Sequence, residues 1–427
     1  MESYALTNCR ILDGTREMAP TKDMAILVKD GRIERILPES QLDAATPRLD
    51  LAGQYLMPGL INLHVHLTGS GKPKKKSTDP VKAVKLVTAN GLTKAAGKAM
   101  VAGYAKQQLF SGVTTIRTVG GIRDFDSQLR DAIDSGRQVG PRILAGNMAV
   151  SVPEGHMAGS LAHVAHTPEE AAEYVSTIAK TKADVIKLMI TGGVLDAVKE
   201  GEPGVLKMQP AIVRAACDRA HALGLKVAAH VESPEGVRVA LENGVDTIEH
   251  GAMPDETILE LFRQKGASLV TTISPTLSFA LFDREVSHAT AMQQHNGKIV
   301  MDGIVACAKA CLSAGIPVGL GTDTACPYVT QYDTWRELVY LRRFCGVSPA
   351  QALHMATLGN ARIAGIEQET GSVEAGKSAD FLVTRDNPLD DLTTLRNPAM
   401  VVFRGKRYAA PRQKKLNQVE QELDKYL

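Results

Sequence analysis

The alternation of short apolar runs with amphipathic segments constrains this chain more than any other feature. Between Pro58 and Ile366, eight runs have the length and apolar character of buried strands, and segments with helical periodicity lie between most of them. Eight such units over about 300 residues predict a (β/α)8 TIM barrel, with its active site at the carboxyl ends of the strands. A doubly wound open sheet is the alternative. The predicted strands are Leu60–Leu67, Gly112–Val119, Arg142–Val150, Asp184–Ile190, Lys226–Val231, Asp246–His250, Ser268–Ser274 and Pro317–Thr322.

Both ends of the chain have a different pattern, typical of short β-strands. Near the N-terminus, Asp30 and Gly31 separate two β-type runs, which is a strong hairpin signal. Residues 371–384 and 400–406 repeat this pattern. We therefore predict a small composite β-sandwich domain formed by both chain ends. Residues 1–57 and 367–427, the latter with a C-terminal tail, would flank a barrel domain of residues 58–366.

Side chains that can bind metals occur where several predicted strands end. His64 and His66 alternate on the first strand, so both can face the barrel interior. The carboxyl ends of barrel strands meet at one rim. Six side chains of this kind at those ends therefore predict a metal site there. Each residue taken alone has a simpler interpretation, such as a capping role for Asp323 or a solvent-reaching side chain for Lys187. The remaining members of the set are Lys187, His230, His250 and Asp323.

Composition excludes several classes of protein. The 49 Lys and Arg residues nearly balance the 47 Asp and Glu residues, which argues against a nucleic-acid binder. No apolar run approaches the length of a membrane span, and six cysteines without a Cys-x-x-Cys pair are too few for a disulfide scaffold. We expect a cytoplasmic homo-oligomer that acts on a small molecule. The lysine-rich run at residues 72–76 is expected to be a solvated loop.

The segment from Pro58 to His66, together with His230, His250 and the Gly-Thr-Asp run ending at Asp323, resembles the amidohydrolase superfamily. Residues 185–193 and 112–117 are typical of its imidazolonepropionase-like and Xaa-Pro-dipeptidase-like branch. The terminal β segments match the composite sandwich of that family, so the resemblance covers essentially the whole chain.

The resemblance implies a hydrolase with two Zn²⁺ ions. It assigns the buried ion to His64, His66 and Asp323, and the outer ion to His230 and His250. Lys187, carboxylated on its amine, would bridge the two. Elementary chemistry agrees, since a lysine buried among apolar groups shifts towards its neutral amine, and its carbamate is an anion that can join two cations.

The expected reaction is hydrolysis of an amide bond by metal-activated hydroxide, in a dipeptide or an N-acyl amino acid. Asp323 is expected to take the proton from the attacking hydroxide and pass it to the leaving nitrogen.

Substrate contacts are predicted on the loops around this site. By resemblance, His156 touches the substrate, and Gly192 and Gly193 could offer backbone N–H groups to an anionic end. Arg117 could pair with a substrate carboxylate or form a structural ion pair. Glu232 stands where family members commonly have an aromatic residue or a histidine, and its carboxylate would favour an amine.

Two alternatives remain open from the sequence. A cyclic amidase of the imidazolonepropionase type, or a deaminase, would act on a ring C–N bond, often with one metal and a glutamate near the fifth-strand histidine. Glu232 fits that alternative, whereas Lys187 predicts two metals. A zinc-dependent binding protein would have lost a ligand or the base, and none is missing.

Overall fold

The computed structural model describes residues 3–73 and 79–427, so part of the lysine-rich run lies outside the described residues. No helix in the described ranges is long and apolar enough to cross a membrane.

The central part of the chain forms the predicted barrel. Neighbouring strands pair in parallel around it, in one seven-stranded and one three-stranded sheet among the described residues. The barrel strands are Leu60–Val65, Val113–Thr118, Arg142–Leu144 with Ala149–Ser151, Val185–Met189, Lys226–Val231, Thr247–His250, Ser268–Thr271 and Val318–Leu320.

The third barrel strand is not continuous, and the prediction of one strand over Arg142–Val150 is wrong in this respect. Asn147 has a φ of 54°, a left-handed conformation that interrupts the strand. Its side-chain amide donates to Thr181 Oγ1 over 2.8 Å, which holds the interruption in place. The first half pairs with the second barrel strand and the second half with the fourth. An additional strand, Ala162–Val164, pairs with the second half.

A buried asparagine joins the first and eighth barrel strands. Asn360 Nδ2 donates to the carbonyls of Ile61 and Leu320 at 2.7 and 2.8 Å. Its Oδ1 accepts from the Leu320 N–H at 2.9 Å. The Asn360 side chain therefore takes the place of backbone hydrogen bonds between the first and eighth strands, and it completes the barrel.

The helices cover the barrel, and several begin with a capping side chain and a proline, as the sequence indicates. Residues 80–110 form two helices, because the Asn90 side chain caps the start of the second one. The α-helices are Pro80–Val87, Gly91–Phe110, Phe125–Asp134, Pro168–Lys180, Pro210–Ala222, Pro234–Glu242, Glu256–Lys265, Ser274–Ala280, Arg284–Ser287, Ala291–Ser313, Thr334–Tyr340, Pro349–His354, Asn360–Ala364 and Asn417–Leu423.

Both chain ends form one composite β domain, as predicted. Tyr55–Pro58 from the N-terminal part pairs antiparallel with Phe381–Thr384 from the C-terminal part. Leu56, Phe381 and Val402 pack in its buried core. One sheet contains Tyr4–Thr7, Met24–Lys29, Arg32–Pro38 and Arg48–Asp50, and the other contains Arg10–Ile11, Tyr55–Pro58, Phe381–Thr384, Met400–Phe403 and Lys406–Ala409.

The last helix, Asn417–Leu423, leaves the β domain and binds the barrel. Arg336 of the barrel is 1 % exposed and donates to Asp424 Oδ1 over 2.7 Å. Glu420 accepts from Arg396 over 2.6 Å. The tail is therefore attached to the barrel by the partly buried ion pair between Arg336 and Asp424, while Arg396 holds it to its own segment. The exact limits of the three predicted segments stay a prediction.

Candidate active site

The predicted metal ligands all lie at the rim formed by the carboxyl ends of the barrel strands. The four histidines and the lysine are each at most 5 % exposed, and the aspartate side chain is 13 % exposed. They come from the first, fourth, fifth, sixth and eighth strands or from the residues that follow them: His64, His66, Lys187, His230, His250 and Asp323.

These side chains converge on one small volume. Asp323 Oδ1 lies 3.5 Å from His64 Nε2 and 3.2 Å from His66 Nε2. The ring of His250 is 4.8 Å from that of His64 and 4.6 Å from that of His230, between centroids. The ligand atoms of His64, His250 and Asp323 all lie within 4.8 Å of one another, which is close enough to surround one ion.

His64 is oriented by a buried acidic residue inside the barrel. Its Nδ1 donates to Glu249 Oε2 over 2.8 Å, which leaves Nε2 directed towards Asp323. Arg117 donates to the other oxygen of Glu249 over 2.6 Å. Burial alone would raise the pKa of Glu249, but Arg117 and His64 hold it well below its usual range. An ionised carboxylate behind a histidine is the usual support of a metal-binding imidazole.

Two other histidines have the same kind of support. His66 Nδ1 donates to the Gly120 carbonyl over 2.8 Å, and His250 Nδ1 is hydrogen-bonded to Thr272 Oγ1 over 2.6 Å. In each ring this leaves Nε2 as the atom available for an ion.

Left-handed backbone turns aim two of the ligands. Glu249 faces the barrel interior, so strict alternation would point the next residue, His250, away from it. His250 instead has a φ of 69°, and its ring contacts those of His64 and His230. Asp323 has a φ of 54° at the end of the eighth strand. Such conformations are costly for residues other than glycine and are typical of functional sites.

Buried polar atoms without partners show that the donor set fits a metal. Lys187 Nζ, His250 Nε2 and Glu232 Oε2 have no hydrogen-bond partner within the described part of the chain. Buried polar atoms normally have one. An imidazole, a carboxylate and an amine in one buried volume are a donor set that a metal ion satisfies and that hydrogen bonds here do not.

The protonation states also suit metal binding. Burial lowers the pKa of His64 to about 4, and it lowers the pKa values of His230 and His250 well below the usual range, so these imidazoles are neutral. Burial would raise the pKa of Asp323, but His64 and His66 hold it well below the usual range. Burial lowers the pKa of Lys187 to about 8, against the opposite effect of Glu249 and Asp323.

Comparison with known families decides the assignment. Residues 55–408 match the model of the Amidohydrolase family, and residues 3–56 match that of the NagA composite domain. The chain belongs to the amidohydrolase family. It is a hydrolase that acts on C–N bonds.

Individual relatives agree with this assignment. The structure of a candidate prolidase from Bifidobacterium longum is 40% identical to this amidohydrolase, with a TM-score of 0.88 over 99% of this chain and 98% of its own. Ochratoxinase from Aspergillus niger is 26% identical over 90% of this chain and 81% of its own length. Imidazolonepropionase from Deinococcus radiodurans is 25% identical over 85% of each. The resemblance to the superfamily and to this branch is therefore confirmed.

Arg117 does not fit the predicted contact with a substrate carboxylate. Its side chain is 4 % exposed, and it lies inside the barrel of this amidohydrolase. Nε donates to the Leu63 carbonyl over 2.7 Å and the terminal nitrogens donate to Thr247 and Glu249. Since all three bonds are internal, Arg117 forms the structural ion pair that was the alternative.

Gly192 and Gly193 do not offer free N–H groups either. The Gly192 N–H donates to the Val205 carbonyl over 3.0 Å, and the Gly193 N–H donates to Asp196 Oδ2 over 2.9 Å. Both donors are used within the loop that follows the fourth strand, so an anionic substrate end would find neither of them available.

His156 lies beside the predicted metal ligands, at a position from which its side chain can reach a substrate. Its ring stacks on that of His230, with centroids 4.2 Å apart and planes 7° apart. Its Nδ1 donates to Asp196 Oδ2 over 2.5 Å, and its side chain is 20 % exposed. Glu232 lies close to His230 and His250, and burial together with Asp323 raises the pKa of Glu232 to about 8.

Sequence reasoning missed Glu249 and Asp196. Glu249 had a signal, because an acidic residue two positions after Thr247 falls on the inward face of a barrel strand beside a predicted ligand. Asp196 had none, since it lies in an irregular loop and meets His156 from forty positions away.

Proposed function

We propose that this chain is a binuclear-zinc amidohydrolase that cleaves an amide bond in a dipeptide or an N-acyl amino acid. The observation that carries the proposal is Lys187, whose buried amine has no hydrogen-bond partner among the described residues although ligand-type side chains surround it. An ammonium group at this place would repel a metal ion. A carbamate formed from the neutral amine would attract two.

The residues divide into two ligand sets. His64, His66 and Asp323 would hold the buried ion, and His230 and His250 the outer one. Carboxylated Lys187 would bridge the ions. Bound zinc would supply Lewis acidity towards the scissile carbonyl and would lower the pKa of a water molecule.

The chain itself supplies the proton transfer and the positioning. Asp323 is ionised and partly reachable from the rim, so its carboxylate can accept a proton from the attacking water and give it to the leaving nitrogen. His156, held by Asp196, presents its remaining ring nitrogen beside His230, where it can hydrogen-bond to a bound substrate. The barrel walls exclude bulk water from the ligands behind this rim.

The likeness to a candidate prolidase over nearly the whole chain supports a peptide-type amide. A cyclic amide or a ring C–N bond is the second candidate. It is favoured by Glu232 Oε2, which is buried without a hydrogen-bond partner among the described residues, and by the likeness to an imidazolonepropionase.

The test combines substrate screening with metal analysis. Protein loaded with zinc is incubated with dipeptides, N-acyl amino acids, lactams and amino-heterocycles, and the products are identified. We expect free amino acids as products and about two zinc ions per chain. Ring opening or ammonia release with about one zinc ion would overturn the proposal in favour of the second candidate.

Two variants test the assigned roles. Lys187→Ala should lose at least one zinc ion and at least about 10³-fold in kcat, whereas the exposed Lys82→Ala should lose neither. Asp323→Asn should reduce kcat by at least about 10²-fold. Near-normal turnover by Asp323→Asn with both metals bound would show that another group is the base.

The homo-oligomer, the small-molecule substrate and the cytoplasmic location stay predictions. Light scattering on the purified full chain checks the first of them, and we expect a mass that is a multiple of 45.7 kDa.

A further inference from the structure

The carboxylate of Glu232 lies at this rim beside His230 and His250, and neither of the two ligand sets uses it. It follows His230 by two residues at the end of the fifth barrel strand. The backbone N–H of Val194 donates to this carboxylate, but Oε2 is buried and has no hydrogen-bond partner within the described ranges. A buried carboxylate that is ionised is normally paired with a cation or bound to a metal, so Oε2 can hold a negative charge here only beside a positive partner.

The surroundings of Glu232 suggest which cation that is. One ligand atom from each of His230, Glu232 and His250 lies within 4.8 Å of the other two. His250 Nε2 likewise has no hydrogen-bond partner in the part of the chain that the structure describes. Two imidazoles and a carboxylate around one point form a donor set typical of zinc.

A glycine allows this close approach. A Cβ atom at Gly193 would lie only 3.2 Å from Glu232 Oε2 and 3.4 Å from His230 Nε2. A Cβ there would press on the carboxylate oxygen and touch the imidazole, so the glycine leaves space for both groups.

We propose that Glu232 is a direct ligand of the outer metal ion, in addition to His230 and His250. The inference rests on the proposed function, which places an ion between those two histidines. With the Lys187 carbamate, the outer ion then has two nitrogen and two anionic oxygen ligands from the protein. The additional negative charge stabilises a dication, so Glu232 raises the affinity of the outer site.

A substrate ammonium group is the competing partner for Glu232. An ammonium next to Oε2 would lie within about 5 Å of an ion held by His230 and His250, and two positive charges at that distance repel strongly in a dry site. The shared position of the three ligand atoms therefore favours the metal over the amine.

Zinc affinity tests the proposal without relying on activity. Competition with a chromophoric chelator gives the dissociation constants of the tightly and the weakly bound zinc ions in the full chain. We expect Glu232→Gln to weaken the weaker site at least about 10-fold and to change the tighter site by less than about threefold. Glu235→Gln is the matched control, because it makes the same chemical change three residues further along the chain, at an exposed position without a proposed ligand atom. It should change both constants by less than about threefold.

The outcomes separate the two proposals. If the wild-type chain binds fewer than two zinc ions, the proposed function itself fails. If the wild-type chain binds two zinc ions and Glu232→Gln retains both affinities, only the role of Glu232 as a ligand fails. A raised KM of Glu232→Gln, confined to substrates with a free amine, would then identify a substrate ammonium as the partner of Glu232.

A second measurement needs no variant. In an anomalous-scattering map of wild-type crystals grown with zinc, we expect a Glu232 oxygen about 2.0–2.2 Å from the outer ion. A separation beyond about 3 Å would overturn the assignment.

Discussion

Arg117→Met tests whether the interior ion pair of the barrel is structural. The guanidinium group donates to the Leu63 carbonyl, to Thr247 Oγ1 and to Glu249 Oε1 at 2.7, 3.1 and 2.6 Å. Methionine has a similar length and no charge. The substitution therefore removes the cation and leaves Glu249, which is fully buried, without a permanent positive partner.

The size of the effect follows from this burial. Removing one partner of a buried ion pair costs about 3–5 kcal/mol, because the other charge stays desolvated. An unfolding entropy of about 2.1 cal/mol/K per residue over the 427-residue chain then converts this loss to a Tm decrease of about 3–6 °C. We also expect weaker metal binding, since Glu249 orients His64.

Differential scanning calorimetry of the zinc-loaded protein measures the stability change. Glu249→Gln and the double variant complete a double-mutant cycle, and removing both charges should recover about 1–3 kcal/mol relative to the sum of the single variants. KM is measured in parallel for two substrates that differ only in whether the terminal carboxylate is free or amidated.

An internal role predicts that both KM values change by the same factor. An unchanged Tm, with a KM increase confined to the substrate that has a free carboxylate, would refute the structural ion pair and restore Arg117 as a substrate contact.

Three further predictions concern the barrel and its metals. Asn360→Leu should lower the free energy of unfolding by about 3–6 kcal/mol in denaturant titrations, because it leaves three buried backbone groups unpaired. An unchanged midpoint and slope would contradict the role of Asn360 in joining the first and eighth strands. Gly321→Ala should displace His64, since the new Cβ would lie 2.4 Å from His64 Cβ, and the affinity for the buried zinc ion and kcat should both fall at least about 10-fold. Gly103→Ala, whose Cβ meets nothing within 4 Å, is its control and should keep both. Zinc removal by a chelator should abolish activity and lower Tm, and added zinc should restore both. The Tm change is expected because a ligand at 100 times its Kd stabilises the folded protein by about 2.7 kcal/mol. Full turnover by metal-free protein would exclude a metal role.

Local patterns in the sequence were sufficient for the order of the elements and the position of the site. A buried parallel strand is recognisable from its own few residues, and its carboxyl end must lie at the same rim as those of its neighbours. The six predicted ligands therefore come together in the structure, although they are up to 259 positions apart from His64 to Asp323. The hairpin at Asp30 and Gly31 was predictable for the same reason, because two adjacent residues with positive φ specify it.

Strand continuity was less predictable. The predicted third barrel strand is apolar apart from Arg142 and Asn147. Asn147 interrupts it because its side chain bonds to Thr181, which directly follows the helix Pro168–Lys180. Such a contact depends on where two distant segments pack, which the periodicity of either one does not contain.

The sequence by itself determined the barrel, the composite β domain and the residues able to bind metals, because these depend on residue type and short-range periodicity. Only the tertiary structure decided how the polar groups are paired. Arg117 is used internally by Glu249, the N–H groups of Gly192 and Gly193 are already bonded, and Asp196 holds His156. The physical reason is that a hydrogen bond depends on the three-dimensional position of both partners, and those partners come from segments that only folding brings together.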